Sequence, residues 1–226
     1  MKQAGEPIKV ILTGATGMVG EGVLHECLSH PAVKEILIVN RKRSGITHPK
    51  LKEIIHNNFY DFSPIQNQLK GYDACLFCLG VSSVGMKEEK FFELTYTLTM
   101  HVAETLSRIN PGSTFCYISG AGTDSTEKGR TMWARVKGKT ENDLMNLPFG
   151  DVYNFRPGIL APTKGLKNTL GFYKYFGWLI PVVKVVGPNF ISTLKDLGLA
   201  MIQVATYGYD KHILEVKDIN ALAKSA

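Results

Sequence analysis

The sequence predicts an α/β fold, a doubly wound parallel sheet with helices on both faces, and three observations carry that expectation. An apolar run, Val10–Leu12, enters a turn with glycine at positions 14, 17 and 20 and passes at once into an amphipathic stretch from Met18. Apolar β-like runs then alternate with helical stretches, which requires crossover connections and hence parallel pairing. The second run, Ile36-Leu37-Ile38-Val39, is continuously apolar, as burial on both faces of a sheet demands.

Taken in order, strands are expected over Lys9–Thr13, Glu35–Asn40, Glu53–Asn57, Ala74–Leu79, Ser113–Ser119 and Asp151–Arg156. Helices are expected over Met18–His30, Ile65–Leu69, Lys87–Ile109 and Thr131–Leu147. Beyond Arg156 the alternation loosens. Leu170–Gly187 is apolar and aromatic, carrying Tyr173, Tyr175, Phe176 and Trp178, but Lys174, Pro181 and Lys184 interrupt it. A spanning helix needs ~20 mostly apolar residues, so no membrane span is expected. A lid over a substrate pocket, an oligomer contact such as a homodimer, and core packing remain open for this stretch. A last helix, Ser192–Thr206, starts at a Ser192/Thr193 cap, and Ile213–Val216 reads as a final short strand.

Length bounds the organisation. The 226 residues suit a single domain over 1–226, with 160–226 forming a C-terminal lid or substrate side. Hydrophobic residues at 44% and charged residues at 20% exclude a disordered chain. The formal charge of +6 comes from basic residues in small groups, with no recognition helix or aromatic-rich nucleic-acid module among them. A phosphorylated small ligand and solvated surface explain it better than a nucleic acid. Cys27, Cys75, Cys78 and Cys116 read as buried thiols, and Cys75 and Cys78 should point to opposite sheet faces. With no apolar leader in Met1–Pro7, a reducing cytoplasm is expected. The six histidines show no metal-ligand spacing.

The glycine turn carries the chemistry. Gly14 permits a tight turn, Gly17 lets backbone approach a diphosphate, and Gly20 lets the helix pack closely, while free N–H groups at the helix start face the anion. Such a turn between strand and helix is the context of a dinucleotide site, and the fold is then a Rossmann fold. The second strand ends at Asn40, followed by Arg41-Lys42-Arg43. No carboxylate stands there to accept from a ribose 2′-hydroxyl, and three cations suit a 2′-phosphate instead. NADP, with NADPH over NADH, is therefore the expected cofactor; the alternative is a solvated basic turn.

These residues resemble the short-chain dehydrogenase/reductase superfamily in its extended and atypical branches, including the nucleoside-diphosphate-sugar epimerase-like members. Thr13-Gly14-Ala15-Thr16-Gly17-Met18-Val19-Gly20 is similar to the TGATGxxG turn of that family. The resemblance, over residues 8–160, implies further contacts. Asp61 and Phe62 follow the third strand, where the family's Asp meets adenine, and Cys78-Leu79-Gly80 would pass the adenine ribose. Ser119 ends the fifth strand at the position of the catalytic serine, and Pro157-Gly158 would border the nicotinamide. The length and the surroundings of Asp61 look closest to the Tat-interacting, oxidoreductase-like members, which implies NADPH binding.

One departure stands out. The family's Tyr-x-x-x-Lys reads Trp133-Ala134-Arg135-Val136-Lys137 here, so the one-face spacing is kept and the phenol is lost. Lys137 still suits cofactor binding, but an indole N–H cannot exchange a proton near neutral pH. Trp133 is then an aromatic wall beside the nicotinamide or a core residue. Ser119 could orient a carbonyl with water relaying the proton, and Tyr173 or Tyr175 could enter from a lid or simply pack. Two functions follow: a reductase or epimerase-like enzyme on an unidentified small carbonyl substrate, or a non-catalytic NADPH sensor that contacts a protein partner.

Overall fold

The computed structural model describes residues 6–163, 165–168 and 190–226. Seven strands form one sheet in the order β3-β2-β1-β4-β5-β6-β9, and every neighbouring pair is parallel. They are β1 (Ile8–Thr13), β2 (Val33–Asn40), β3 (Leu51–Ile55), β4 (Ala74–Phe77), β5 (Thr114–Ile118), β6 (Asp151–Arg156) and β9 (Ile213–Glu215). The remaining two described strands, β7 (Ile159–Ala161) and β8 (Ile191–Thr193), pair with each other outside that sheet. The described helices are α1 (Met18–Ser29), α2 (Glu88–Phe92), α3 (Leu98–Ile109), α4 (Met132–Leu144), α5 (Leu194–Tyr207) and α6 (Val216–Leu222). A 3₁₀ turn spans Gln66–Leu69, and a π-helical turn, Glu93–Thr97, joins α2 to α3.

Alternation along the inner strands builds two cores. Val10 and Leu12 of β1 and Ile36 and Ile38 of β2 join one cluster, with α1 and α5. Ile11, Leu37 and Val39 face the other, with α3. Two buried faces explain why these strands read as unbroken apolar runs. Cys75 lies in one cluster and Cys78 packs against the other, and all four cysteines are free thiols. On one side α1 and α5 pack through small residues: a Cβ on Gly22 would lie 2.7 Å from Leu194 Cβ, and one on Gly198 would lie 2.9 Å from Glu26 Cγ.

The structure moves several sequence-based boundaries. β3 starts and ends two residues earlier than Glu53–Asn57, because pairing of Ile36–Asn40 with Leu51–Ile55 sets its register. The short helix expected over Ile65–Leu69 is a single 3₁₀ turn. The last long helix begins at Leu194 instead of Ser192. Thr193 caps it through a reciprocal box with Asp196, while Ser192 lies in β8 and donates to Asn220. The β7–β8 pair and α6 have no counterpart in the sequence reading. The stretch Leu170–Gly187, with Tyr173 and Tyr175, lies outside the described residues. Among those described, no helix is long and apolar enough to cross a membrane.

Candidate functional site

The strand order reverses between β1 and β4, and crevices at the C-terminal strand ends open at such a switch point. The glycine turn sits there. Gly14 has φ +74°, and a Cβ on it would lie 2.6 Å from the Cys78 carbonyl oxygen. A Cβ on Gly20 would lie 2.1 Å from the Gly14 carbonyl oxygen. Gly17 differs, since its nearest neighbour would be the Gly14 oxygen at 3.4 Å, an ordinary contact. Protein packing therefore demands Gly14 and Gly20, and it leaves the absence of a side chain at Gly17 unexplained. Gly17 is the N-cap of α1 and its own N–H donates to Gly14 (2.9 Å). The first i→i−4 bond of the helix is made by Glu21, so the N–H groups of Met18, Val19 and Gly20 precede the ladder.

Three adjoining cavities follow the strand ends. The central one, about 410 Å³, is lined by Gly17, Met18, Val19, Cys78–Val81, Ile118–Gly120, Lys137, Pro157, Gly158 and Leu160. A second, about 250 Å³, shares Leu79, Gly80 and Val81 with it and adds Arg41, Asn57, Phe59, Tyr60, Leu94 and Leu98. A third, about 660 Å³, shares Arg41 and Asn57 with the second and holds Thr16, Lys42, Arg43, Ser44, Lys167 and Asn168. The shared residues make one groove. It has a basic end, an apolar slot and a reaction end.

Most expected contacts converge on this groove; Gly14 and Gly20 shape the turn without lining a cavity, and Asn40, Asp61 and Phe62 are not among the lining residues either. Asp61 is exposed; the Ser63 hydroxyl, together with the Ser63 N–H that donates to its carboxylate (2.9 Å), holds its pKa below the usual range. Phe62 is buried in the core against Phe59 and His56. Asn57, Phe59 and Tyr60 line the slot where Asp61 and Phe62 were expected. Asn40 is also buried, and its side-chain amide donates to Glu53 (3.3 Å). Glu53 in turn accepts from Ser44 N–H (2.8 Å), so this pair shapes the basic loop from beneath.

At the reaction end, Lys137 Nζ donates to the Ser119 carbonyl oxygen. Burial lowers the Lys137 pKa to about 8, while the Glu141 charge pulls it upward. The Ser119 hydroxyl is engaged by other protein groups. It contacts Glu141 Oε1 (2.5 Å) and the Phe155 carbonyl (3.1 Å) and is 4% exposed. Glu141 is paired in turn by Arg156, through Nε (3.0 Å) and Nη2 (2.5 Å). This Ser119–Glu141–Arg156 network escaped the sequence reading. Its available signal was Glu141 one helical turn beyond Lys137, with an arginine at a buried strand end. The Trp133 ring lies beside the Gly120–Gly122 backbone, where a Cβ on Gly122 would come 3.7 Å from it. Among the described residues, no group of His, Cys, Asp or Glu could hold a metal ion.

Solved structures with the same fold include WbmG of Bordetella bronchiseptica in complex with NAD (TM-score 0.67, 13% identity, covering 100% of this chain and 80% of that one). The ADP-L-glycero-D-manno-heptose-6-epimerase of Helicobacter pylori gives TM-score 0.63 at 14% identity, covering 100% and 84%. Among sequence relatives, the Candida albicans "Protein FMP52, mitochondrial" is 25% identical over 93% of this chain and 92% of its own length. The rat "Protein HTATIP2" is 23% identical over 67% and 62%. The relatives named as mitochondrial overturn the expectation of a cytoplasmic protein. The glycine turn, the switch point and most of the groove's lining fall within residues 10–131, which match the model of the NAD dependent epimerase/dehydratase family, and to that family this chain belongs.

Proposed function

We propose that this protein is an NADP(H)-binding oxidoreductase of the short-chain dehydrogenase/reductase type, acting on a small carbonyl compound. The observation that carries the reading is the single groove running from a basic basin, past a glycine turn, to Lys137. The basin presents Arg41, Lys42, Arg43 and Lys167, with no carboxylate among its described lining residues, which suits a 2′-phosphate. The fit to a dinucleotide rests on Gly17, whose missing side chain no protein contact explains, and on the N–H groups of Met18–Gly20 at the helix start. The mitochondrial relatives support that compartment for this chain too.

When bound, the nicotinamide supplies a hydride; the chain's own residues bind and orient. The sequence suggested that the Ser119 hydroxyl could orient a carbonyl, but that single proton is engaged with Glu141 and the Phe155 carbonyl. Lys137 takes the role instead. Its ammonium has three donors, one given to the Ser119 carbonyl, and it lines the groove. With a pKa near 8 it holds a proton at neutral pH that is easier to release than that of a solvated lysine. Pro157 and Gly158 close the far wall.

A second reading, an NADPH-binding sensor without turnover, is favoured by Trp133 at the place of the family's tyrosine. Calorimetry with NADPH and NADH, followed by NADPH oxidation assays against a carbonyl panel, separates the two. Tighter NADPH binding with turnover supports the enzyme. Binding without turnover, unrelieved by Trp133→Tyr, supports the sensor. Failure to bind either dinucleotide refutes both.

A further inference from the structure

We propose that Lys167 is a specificity-determining residue for a 2′-phosphate and that Glu21 is the positioning residue that seats it. The proposal rests on reading the groove as a nicotinamide-nucleotide site, and it assigns part of that site to a distant segment of the chain.

Glu21 lies in the first turn of α1, 7% exposed, beside the helix start that would face a diphosphate. A free carboxylate there would oppose an anion. Both of its oxygens are instead engaged: Oε1 accepts from Lys167 N–H (2.8 Å) and Oε2 from Asn168 N–H (2.7 Å). These residues lie 146 and 147 positions further along the chain. Leu166 packs on the core cluster next to them, and the two charge-assisted hydrogen bonds add to that hold. The consequence is local. Lys167 is exposed, and its backbone is fixed where its side chain joins Arg41, Lys42 and Arg43 around the basin. A cation held in place before the ligand arrives spares the ligand the entropy of ordering that segment. A 2′-phosphate carries roughly −1.5 to −2 charge at neutral pH, as phosphomonoesters do. NADH presents only a hydroxyl at that position, so this cation should separate the two dinucleotides.

The test is calorimetry on the full chain with NADPH and NADH, using Lys167→Ala, Lys167→Arg and Glu21→Gln, each checked for its melting temperature. Lys167→Ala should weaken NADPH about tenfold, the loss of one charged contact, and lower the NADPH/NADH affinity ratio. Lys167→Arg should restore that ratio. Glu21→Gln has a single acceptor oxygen for two N–H donors and should lower the ratio in the same direction while leaving the exposed Lys167 in the sequence. A wild-type protein that prefers NADPH, with the ratio unmoved by Lys167→Ala, overturns the Lys167 assignment alone. A ratio moved by Lys167→Ala and not by a folded Glu21→Gln overturns the tether. Should Glu21→Gln fail to fold, Lys167→Ala against Lys167→Arg decides. A wild type that binds neither dinucleotide removes both this proposal and the reading beneath it.

Discussion

Alanine at each glycine of the β1–α1 turn should separate folding from ligand approach. At Gly17 the backbone has φ −99° and ψ 164°, open to any residue, and the nearest atom to a new Cβ would be 3.4 Å away. Reduced unfolded-state entropy favours Ala by about 0.4–1 kcal/mol, and the weaker N-cap opposes it by a similar amount. Gly17→Ala should therefore melt within about 2 °C of the wild type. The same methyl projects at the start of α1 into the groove, and an unwelcome methyl at a close contact costs about 2 kcal/mol. NADPH should bind about thirtyfold more weakly. At Gly20, by contrast, a Cβ would stand 2.1 Å from the Gly14 oxygen and 2.5 Å from its carbonyl carbon. Backbone must move, at a cost of about 3 kcal/mol or more, and the melting temperature should fall by roughly 6–12 °C. Gly14→Ala adds a positive-φ penalty of about 1–2 kcal/mol to its clash with the Cys78 oxygen. Scanning calorimetry and titration on the three variants supply the comparison. A Gly17→Ala protein with wild-type NADPH affinity would refute the claim that this position is kept bare for a ligand.

Two further outcomes concern the reaction end. Lys137 has its pKa lowered to about 8 when folded, while a solvated lysine sits near 10.4, so between about pH 8 and 10 the unfolded chain binds more protons. Stability should rise with pH across that window by at most about 3 kcal/mol, and Lys137→Met should abolish that part of the rise in denaturant titrations. An identical pH slope in both proteins would mean that Lys137 is solvated. Arg156→Met strips the partner from Glu141, whose side chain is 1% exposed, and should cost about 3–5 kcal/mol. The Arg156→Met/Glu141→Leu double variant should recover part of that loss; melts of the two that coincide would argue against a buried pair.

What was legible in the sequence was what depends on neighbours along the chain. Positive φ at Gly14 and the close approach at Gly20 are backbone requirements, and they left glycine at a readable spacing. The inner strands were legible because burial on both faces forbids polar interruption. β3, at the sheet edge, takes its register from β2, so the strand was legible but its bounds were not, and β7 meets β8 across about thirty intervening residues, so that pair was not visible locally. Asp61 differs again. Its carboxylate accepts from the backbone N–H two residues on, in a polar turn, and it is not among the residues that line the slot, where the resemblance suggested an adenine contact.

The same distinction explains the reaction end. Sequence order points to Ser119 and Lys137, which line one cavity, but what the hydroxyl does depends on Glu141 from α4 and Arg156 from β6, which only the fold assembles. Arg156 also reaches Ser125 (2.5 Å) and Glu215 (3.4 Å), so the network ties β6 to the loop after β5 and to β9. With Trp133 against Gly120–Gly122, the charged side chain among the described lining of the central cavity is the Lys137 ammonium. Such a surface can hold a ribose or an oxyanion without a phenol. What it would lose is the part of the rate that a tuned general acid supplies, commonly about 10²–10⁴-fold. A slow reductase and a binding protein are thus neighbouring outcomes of one arrangement, and turnover measured against NADPH occupancy tells them apart.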